Sequence, residues 1–444
     1  MKDHYVAKDF NAAASSYGHS LKPYSLILQP LLAAVASFII LSIPLLKKQC
    51  FLFGSETSQN VFVHLASSFL HGRLDLDLHS GLDLSPFGGK LYAMWPPLCA
   101  FFLMPFVYIH GLCIGDNWIS IFLVSVSIFY GWLIIDLIGQ RAKWHISLWY
   151  KTLLTLFLSC GTSFLFLSLG ASPNYMVQVA AATMMFISLF HLLSANNKPQ
   201  QYLVAGVFWA LAICSRIHLI LAAPVFLYVS LFGLTFHADI KIPKQEWKEK
   251  VKILLCLLSP IVCIFIFLAW YNWARFGSIL ECGISYHLMD PRFLSDFKRY
   301  GYINPHYFWR NAYYTLIRVP YLSHLFPSIE TKPHNDWMEG YSIFFQSPPL
   351  LYALNTFKSI KEDNLIAALW MSVIPITVVI LCLMGTGWVQ FGARYLFDTV
   401  PLLFPLVIIG SKGKATSLFV VLVTGALAAT LFGLSLASQW ITIF

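Results

Sequence analysis

The sequence predicts an all-α integral membrane protein, a single polytopic bundle of about eleven transmembrane helices with two long loops on one face. Three observations carry this expectation. Of 444 residues, 58% are hydrophobic and only 11% charged, with mean hydropathy +0.68, whereas a soluble domain carries about 25% charged residues. Apolar runs long enough to cross a bilayer recur along the chain, and backbone polar groups in hydrocarbon must be satisfied within the segment, which selects helices. The remaining charge collects in connecting loops and in two boundary segments, Tyr271–Gly283 and Gly385–Pro401, where arginines and acids stand among aromatics and glycines. Charges at such depth are costly against lipid, so these segments are expected to line a polar cavity or to pair internally.

The elements follow in chain order. The first 24 residues are polar and form a cytoplasmic N-terminus with no cleavable signal peptide, so Leu26–Leu46 is the anchoring first span. Residues 47–117 form the first outer loop. Within it, Phe62, Leu65, Ala66, Phe69 and Leu70 recur at helical spacing, which predicts an amphipathic interfacial helix over Asn60–Leu70. Pro96 and Pro97 end one element and start another. Leu98–His110 is apolar but too short to span, and suits a re-entrant or interfacial helix. Further spans are expected near Trp118–Ile138, Leu153–Leu169, Tyr175–Leu193, Tyr202–Cys214, Leu219–Phe236 and Ile253–Trp270. A second outer loop covers 271–341, and the last spans fall near Ser342–Leu354, Leu365–Met384, Val400–Ile409 and Ser417–Ile441.

Lys and Arg set the orientation. With a cytoplasmic N-terminus and a non-crossing Leu98–His110, the inner loops 139–152, 194–201, 237–252, 355–364 and 410–416 hold 13 of the 29 Lys and Arg residues, and these basic loops alternate with the spans. Both long loops then lie outside. The net charge of +9 is a loop property and implies no nucleic-acid partner. The nine cysteines are scattered with no Cys-x-x-Cys pair, so no disulfide framework or metal cluster is signalled. No phosphate-binding Gly-x-x-x-x-Gly-Lys-Ser/Thr loop and no His-Glu-x-x-His zinc motif occurs, which argues against a primary pump or a zinc protease.

The segments His-Gly-Arg-Leu-Asp-Leu (71–76), Asp-Leu-Ser-Pro-Phe-Gly-Gly-Lys-Leu-Tyr (83–92) and Pro-Pro-Leu (96–98) resemble the first outer loop of bacterial polytopic GT-C superfamily glycosyltransferases. Those proteins are similar to protein O-mannosyltransferases and lipid A aminoarabinose transferases. Tyr-Asn-Trp-Ala-Arg-Phe-Gly (271–277) and Gln-Phe-Gly-Ala-Arg-Tyr-Leu-Phe-Asp (390–398) resemble later motifs of the same group, and Gly161-Thr162 ahead of the turn at 170–175 also fits. The resemblance implies a GT-C-like bundle that moves a hexosyl or pentosyl unit from a polyprenyl-phosphate donor to a lipid, glycan or protein acceptor outside an inner membrane. It also implies a carboxylate base in the first outer loop and cations for the departing phosphate. An alcohol is a weak nucleophile that a carboxylate activates, and developing phosphate charge calls for fixed positive groups.

Each candidate has a rival reading. Glu56 follows the first span most closely, where the resemblance places the base, but it could equally be a solvated loop acid. Asp83 fits the quoted motif better, with a turn or capping role as rival. Asp75 and Asp77 alternate with leucines and are weaker candidates. Arg394 is a phosphate or sugar ligand or the partner of Asp398 one helical turn on. Arg275 is a ligand or the partner of Glu281, itself a substrate-binding candidate. Arg216 is a ligand or a side chain reaching to the interface. Lys90 and Tyr92 complete the candidate set, while His64 and His218 read as packing residues. No cofactor is indicated, and the need for a divalent metal is open. The competing functions are a flippase or transporter of a lipid-linked sugar, and a non-catalytic envelope-assembly relative. Charge gathered on one side favours the enzyme, since alternating access requires charged groups near the midplane.

Overall fold

A computed structural model of the protein describes residues 23–48, 51–53, 60–78, 83–170, 172–233, 247–320, 339–387 and 390–438. It is mostly helical. The helices are α1 (Pro23–Lys47), α2 (Val61–Leu70), α3 (Leu98–His110), α4 (Asn117–Ala142), α5 (Leu148–Cys160), α6 (Ser163–Leu169), α7 (Pro173–Leu193) and α8 (Pro199–Ser215). They continue as α9 (Ala223–Phe232), α10 (Trp247–Phe276), α11 (Pro291–Tyr300), α12 (Phe308–Ala312), α13 (Ile343–Gln346), α14 (Asn364–Leu381), α15 (Val400–Gly410) and α16 (Ser417–Ser438). An antiparallel hairpin, β1 (Leu84–Phe87) and β2 (Lys90–Ala93), and a short parallel pair, β3 (Glu339–Tyr341) and β4 (Gln390–Gly392), complete it.

Six helices among the described residues are long and apolar enough to cross a membrane, or seven if the α5–α6 pair counts as one span. The expected eleven is not reached by that measure, because several expected spans are short or broken. Leu153–Leu169 bends by 45° between α5 and α6. The break falls at Gly161-Thr162, where the Thr162 hydroxyl donates back to the Leu158 carbonyl and accepts from the Phe164 amide. Leu219–Phe236 begins as a 3₁₀ turn, Ile217–Ala222, before α9. The expected span Ser342–Leu354 is instead the one-turn α13 followed by a 3₁₀ stretch, Pro348–Ser359, because two consecutive prolines remove the amides an α-helix needs. Leu98–His110 forms α3 with the expected bounds. Asn60–Leu70 is helical as expected, with Asn60 capping the Phe62 amide, but it is buried on more than one face rather than lying amphipathically at an interface.

The core centres on α7, whose apolar window is 89% buried, whereas those of α1 and α10 are 28% and 17% buried. A helix apolar all round belongs inside a bundle. α7 packs on α4, α8 and α15; α8 packs on α10, α1 on α4, and α16 on α5. At one end of the bundle, Arg141 pairs with Asp363 at 3.0 Å, Lys151 pairs with Asp136, and the Tyr150 and Ser411 hydroxyls meet at 2.6 Å. The start of α7, the end of α8 and the β hairpin lie at the opposite end, where the remaining candidate residues gather.

Candidate functional site

The first turns of α7 organise this end. Asn174 donates from Nδ2 to Asp83 Oδ2 at 3.3 Å, and its Oδ1 accepts from Trp95 Nε1 at 3.2 Å. The next residue, Tyr175, presents its ring 5.4 Å from the Arg394 guanidinium carbon. One turn on, Gln178 holds Arg394 from both sides: its Oε1 accepts from Nη1 at 3.1 Å, and its Nε2 donates to the Arg394 carbonyl at 2.8 Å. One helix end therefore touches both a carboxylate and a cation that sequence spacing keeps more than 300 residues apart.

Asp83 precedes β1 and adopts φ +61°, a left-handed conformation that Asp tolerates better than most residues. Its amide donates to the Leu288 carbonyl at 2.9 Å, and its Oδ1 lies 3.0 Å from His287 Nε2. The carboxylate is 39% exposed while His287 is only 7% exposed, so the acid is oriented from behind and open in front. His287 Nδ1 is buried without a partner among the described residues.

Arg394 follows β4. Its Nε donates to the Gly387 carbonyl at 2.5 Å, and its amide donates to Gln390 Oε1 at 3.1 Å. Gly387 has φ +102°, and a Cβ there would come within 3.1 Å of Arg394 Nε. At Gly392 a Cβ would meet the Gln346 amide oxygen at a distance no side chain could tolerate, so only glycine lets β4 seat against α13. The Tyr395 ring lies 4.7 Å from the Arg394 guanidinium and 5.1 Å from that of Arg216. Arg216 ends α8, and its Nε donates to Asp398 Oδ2 at 2.8 Å. The same oxygen lies 2.8 Å from His218 Nε2. Tyr302 stands among these groups: burial pushes its phenol up, and it feels the charges of Arg216, Arg394 and Asp83.

Several expectations are redrawn here. Asp398 pairs with Arg216 and His218 rather than serving as the helical-turn partner expected for Arg394, because 394–398 runs from a strand end into a 3₁₀ turn, Leu396–Thr399, where i,i+4 side chains do not stack. Arg216 is anchored inward rather than reaching to an interface, and His218 is a polar partner rather than packing. Arg275 and Glu281 form no ion pair among the described residues. Arg275, 4% exposed, donates to the carbonyls of Ala93 and Tyr271 and to Asn272 Oδ1 at 2.7, 3.2 and 3.0 Å, and lies 3.8 Å from the Tyr271 ring. Glu281 Oε1 instead accepts from the Gly283 amide at 2.6 Å. Burial opposes ionisation of Glu281, but hydrogen bonds from Ser285 and Gly283 outweigh it and hold the carboxyl below its usual range.

Lys90 donates to Asp75 Oδ1 at 3.1 Å, and Arg73 approaches Asp75 and Asp77 at 3.7 and 3.8 Å. Tyr92 packs its buried ring edge-on to Phe276 at 5.3 Å. Glu56 lies outside the described residues. Among those described, no group of three or more His, Cys, Asp or Glu is arranged to hold a metal ion. Sequence reasoning passed over Asn174, Gln178 and His287. The first two carried a usable signal, as amide side chains in an otherwise apolar helix.

No family model matches the sequence, and no curated protein sequence matches it. Among solved structures, the chain is similar to the apo oligosaccharyltransferase of Archaeoglobus fulgidus, with TM-score 0.47 and 13% identity over 95% of this chain and 57% of that one. It is similar to ArnT from Cupriavidus metallidurans bound to undecaprenyl phosphate, with TM-score 0.41 and 11% identity over 88% of this chain and 61% of that one. A third match is the archaeal oligosaccharyltransferase AglB from Archaeoglobus fulgidus in complex with an inhibitory peptide and a dolichol-phosphate, with TM-score 0.41 and 14% identity over 94% of this chain and 55% of that one. These are GT-C glycosyltransferases. The chain spans less than two thirds of the length of each.

Proposed function

We propose that the protein is a multi-pass membrane glycosyltransferase that moves a sugar from a polyprenyl-phosphate donor to an acceptor hydroxyl. The observation that carries this reading is Asp83: a partly exposed carboxylate, oriented by His287 and Asn174, on the same helix end that holds Arg394. In the proposed step, Asp83 accepts the acceptor's hydroxyl proton as that oxygen bonds to the sugar's anomeric carbon. The bond from that carbon to the phosphate oxygen breaks, and polyprenyl phosphate leaves with the bonding pair. General-base assistance of this kind contributes about 10²–10⁴ in rate. Arg216 and Arg394, on either hand of Tyr395, would hold the leaving phosphate, since a guanidinium fork matches phosphate oxygens. Lys90 and Arg275 are committed elsewhere and take no part in this reading.

The acceptor class (lipid, glycan or protein), the inner-membrane location, the cytoplasmic N-terminus and an outward-facing site belong to the same proposal. Its orientation rests on the basic residues at the opposite end of the bundle. Purified protein in liposomes, supplied with a polyprenyl-phosphate sugar and candidate acceptors, should release polyprenyl phosphate in step with glycosylated product. Unidirectional movement of intact donor across the bilayer without any cleavage would favour a flippase and overturn the transferase.

A further inference from the structure

We propose that Asp398 and His218, neither of which has a role in the chemistry above, are positioning residues that set Arg216 to receive the donor phosphate; the inference rests on the transferase reading. Asp398 is fully buried and puts one oxygen, Oδ2, to two uses: it accepts from Arg216 Nε and meets His218 Nε2, both at 2.8 Å. Its other oxygen, Oδ1, is buried without a partner among the described residues, and so is Arg216 Nη2. An unshared arginine–aspartate pair closes with two parallel hydrogen bonds. Here His218 draws on the oxygen that Nε uses, and the second bond is not made.

The consequence is a guanidinium fixed along its Nε edge and by the Tyr395 ring, with Nη2 lacking an acceptor among the described residues. The Arg216 side chain is 16% exposed although Nη2 itself is buried, and its charge is felt by the Tyr302 phenol. A buried cation with donors left over is costly unless something supplies oxygens to them. A phosphate monoester supplies two, in the spacing the terminal nitrogens require. His218 thus acts at a distance from the phosphate: it keeps Asp398 from closing on the arginine and so keeps the fork open.

Equilibrium binding of polyprenyl phosphate to the full-length protein in nanodiscs tests this, with the unphosphorylated polyprenol as control. Asp398→Asn and His218→Leu should each weaken polyprenyl phosphate about tenfold or more, as expected for the loss of a charge-assisted contact. Polyprenol binding should stay within about twofold. His218→Gln keeps a donor toward Asp398 and should recover most of the affinity. In turnover, the donor KM should rise in His218→Leu while the acceptor KM holds. A purely structural role would lower the unfolding midpoint without separating the two lipids. Equal polyprenyl phosphate affinity in wild type, Asp398→Asn and His218→Leu overturns the inference and leaves the transferase reading standing. Should Asp398→Asn fail to fold, the comparison of His218→Leu with His218→Gln decides alone, and equal affinities overturn it. A wild-type protein that binds no polyprenyl phosphate overturns both.

Discussion

Tyr271–Gly283 and Gly385–Pro401 look alike in sequence, and the structure uses them oppositely. The first braces its own turn and the β hairpin. Arg275 spends its donors on nearby carbonyls and an asparagine, Glu281 caps its own turn, and Gly277 at φ +70° ends α10 between them. The second reaches outward: Arg394 is gripped by Gln178 of α7, Asp398 engages Arg216 and His218 at and just past the end of α8, and Tyr395 lies between two guanidinium groups. An arginine at a membrane boundary therefore says little until its acceptors are known. Arg275 meets three uncharged acceptors, whereas the second segment also carries an aspartate that engages both an arginine and a histidine.

The largest effect that would sharpen this contrast is at Asp83, which is held by His287 and Leu288 just beyond the first segment and which shares α7 with Arg394 of the second. Asp83→Asn should cut turnover by about 10²–10⁴ while polyprenyl phosphate binding holds, because the cations keep the phosphate. Turnover per folded molecule checks it, and full activity would remove Asp83 as the base. Next in size is Arg275→Ala. Leaving the buried Ala93 carbonyl without its donor should cost about 1–3 kcal/mol, read as a lower unfolding midpoint, with turnover per folded molecule retained. Lost activity at unchanged stability would contradict the bracing role.

The smallest effect belongs to the exposed Lys90–Asp75 pair. Burial works against ionising Asp75, but the Lys90 hydrogen bond and the charges of Lys90 and Arg73 prevail and hold it below its ordinary value of 3.8. A lowered carboxyl contributes stability that is fully present above that ordinary value and is lost as pH falls through the folded one. Lys90 is 56% exposed, so the contribution is about 0–1 kcal/mol. Asp75→Asn should shift the midpoint little at neutral pH, and wild type and variant should converge in acid. A shift that grows as pH falls would contradict the pairing.

How far the sequence spoke follows the same division. Long spans such as α4, α7, α14 and α16 were legible because composition and length alone decide them. The short helix α3 was legible, with its bounds, from a 13-residue apolar run. Ser342–Leu354 was not, because apolar character masked what Pro348 and Pro349 do to a helix. At the site, Asp83, Arg216 and Arg394 stood out as charges in apolar surroundings, yet their partners could not be read. Asp398 lies 182 residues from Arg216, and His287 lies 204 from Asp83. The i,i+4 rule that suggested the Arg394 pairing presumes an α-helix the chain does not form there. The resemblance to GT-C glycosyltransferases came from short motifs, and two of them, 271–277 and 390–398, divide between brace and site.

The most direct measurement sets the two arginines side by side: polyprenyl phosphate affinity of Arg216→Ala and Arg275→Ala, each corrected for the folded fraction. The account predicts that Arg216→Ala binds about tenfold more weakly or worse, while Arg275→Ala stays within about twofold of wild type. Undiminished binding by Arg216→Ala, with the loss falling on Arg275→Ala, would contradict it.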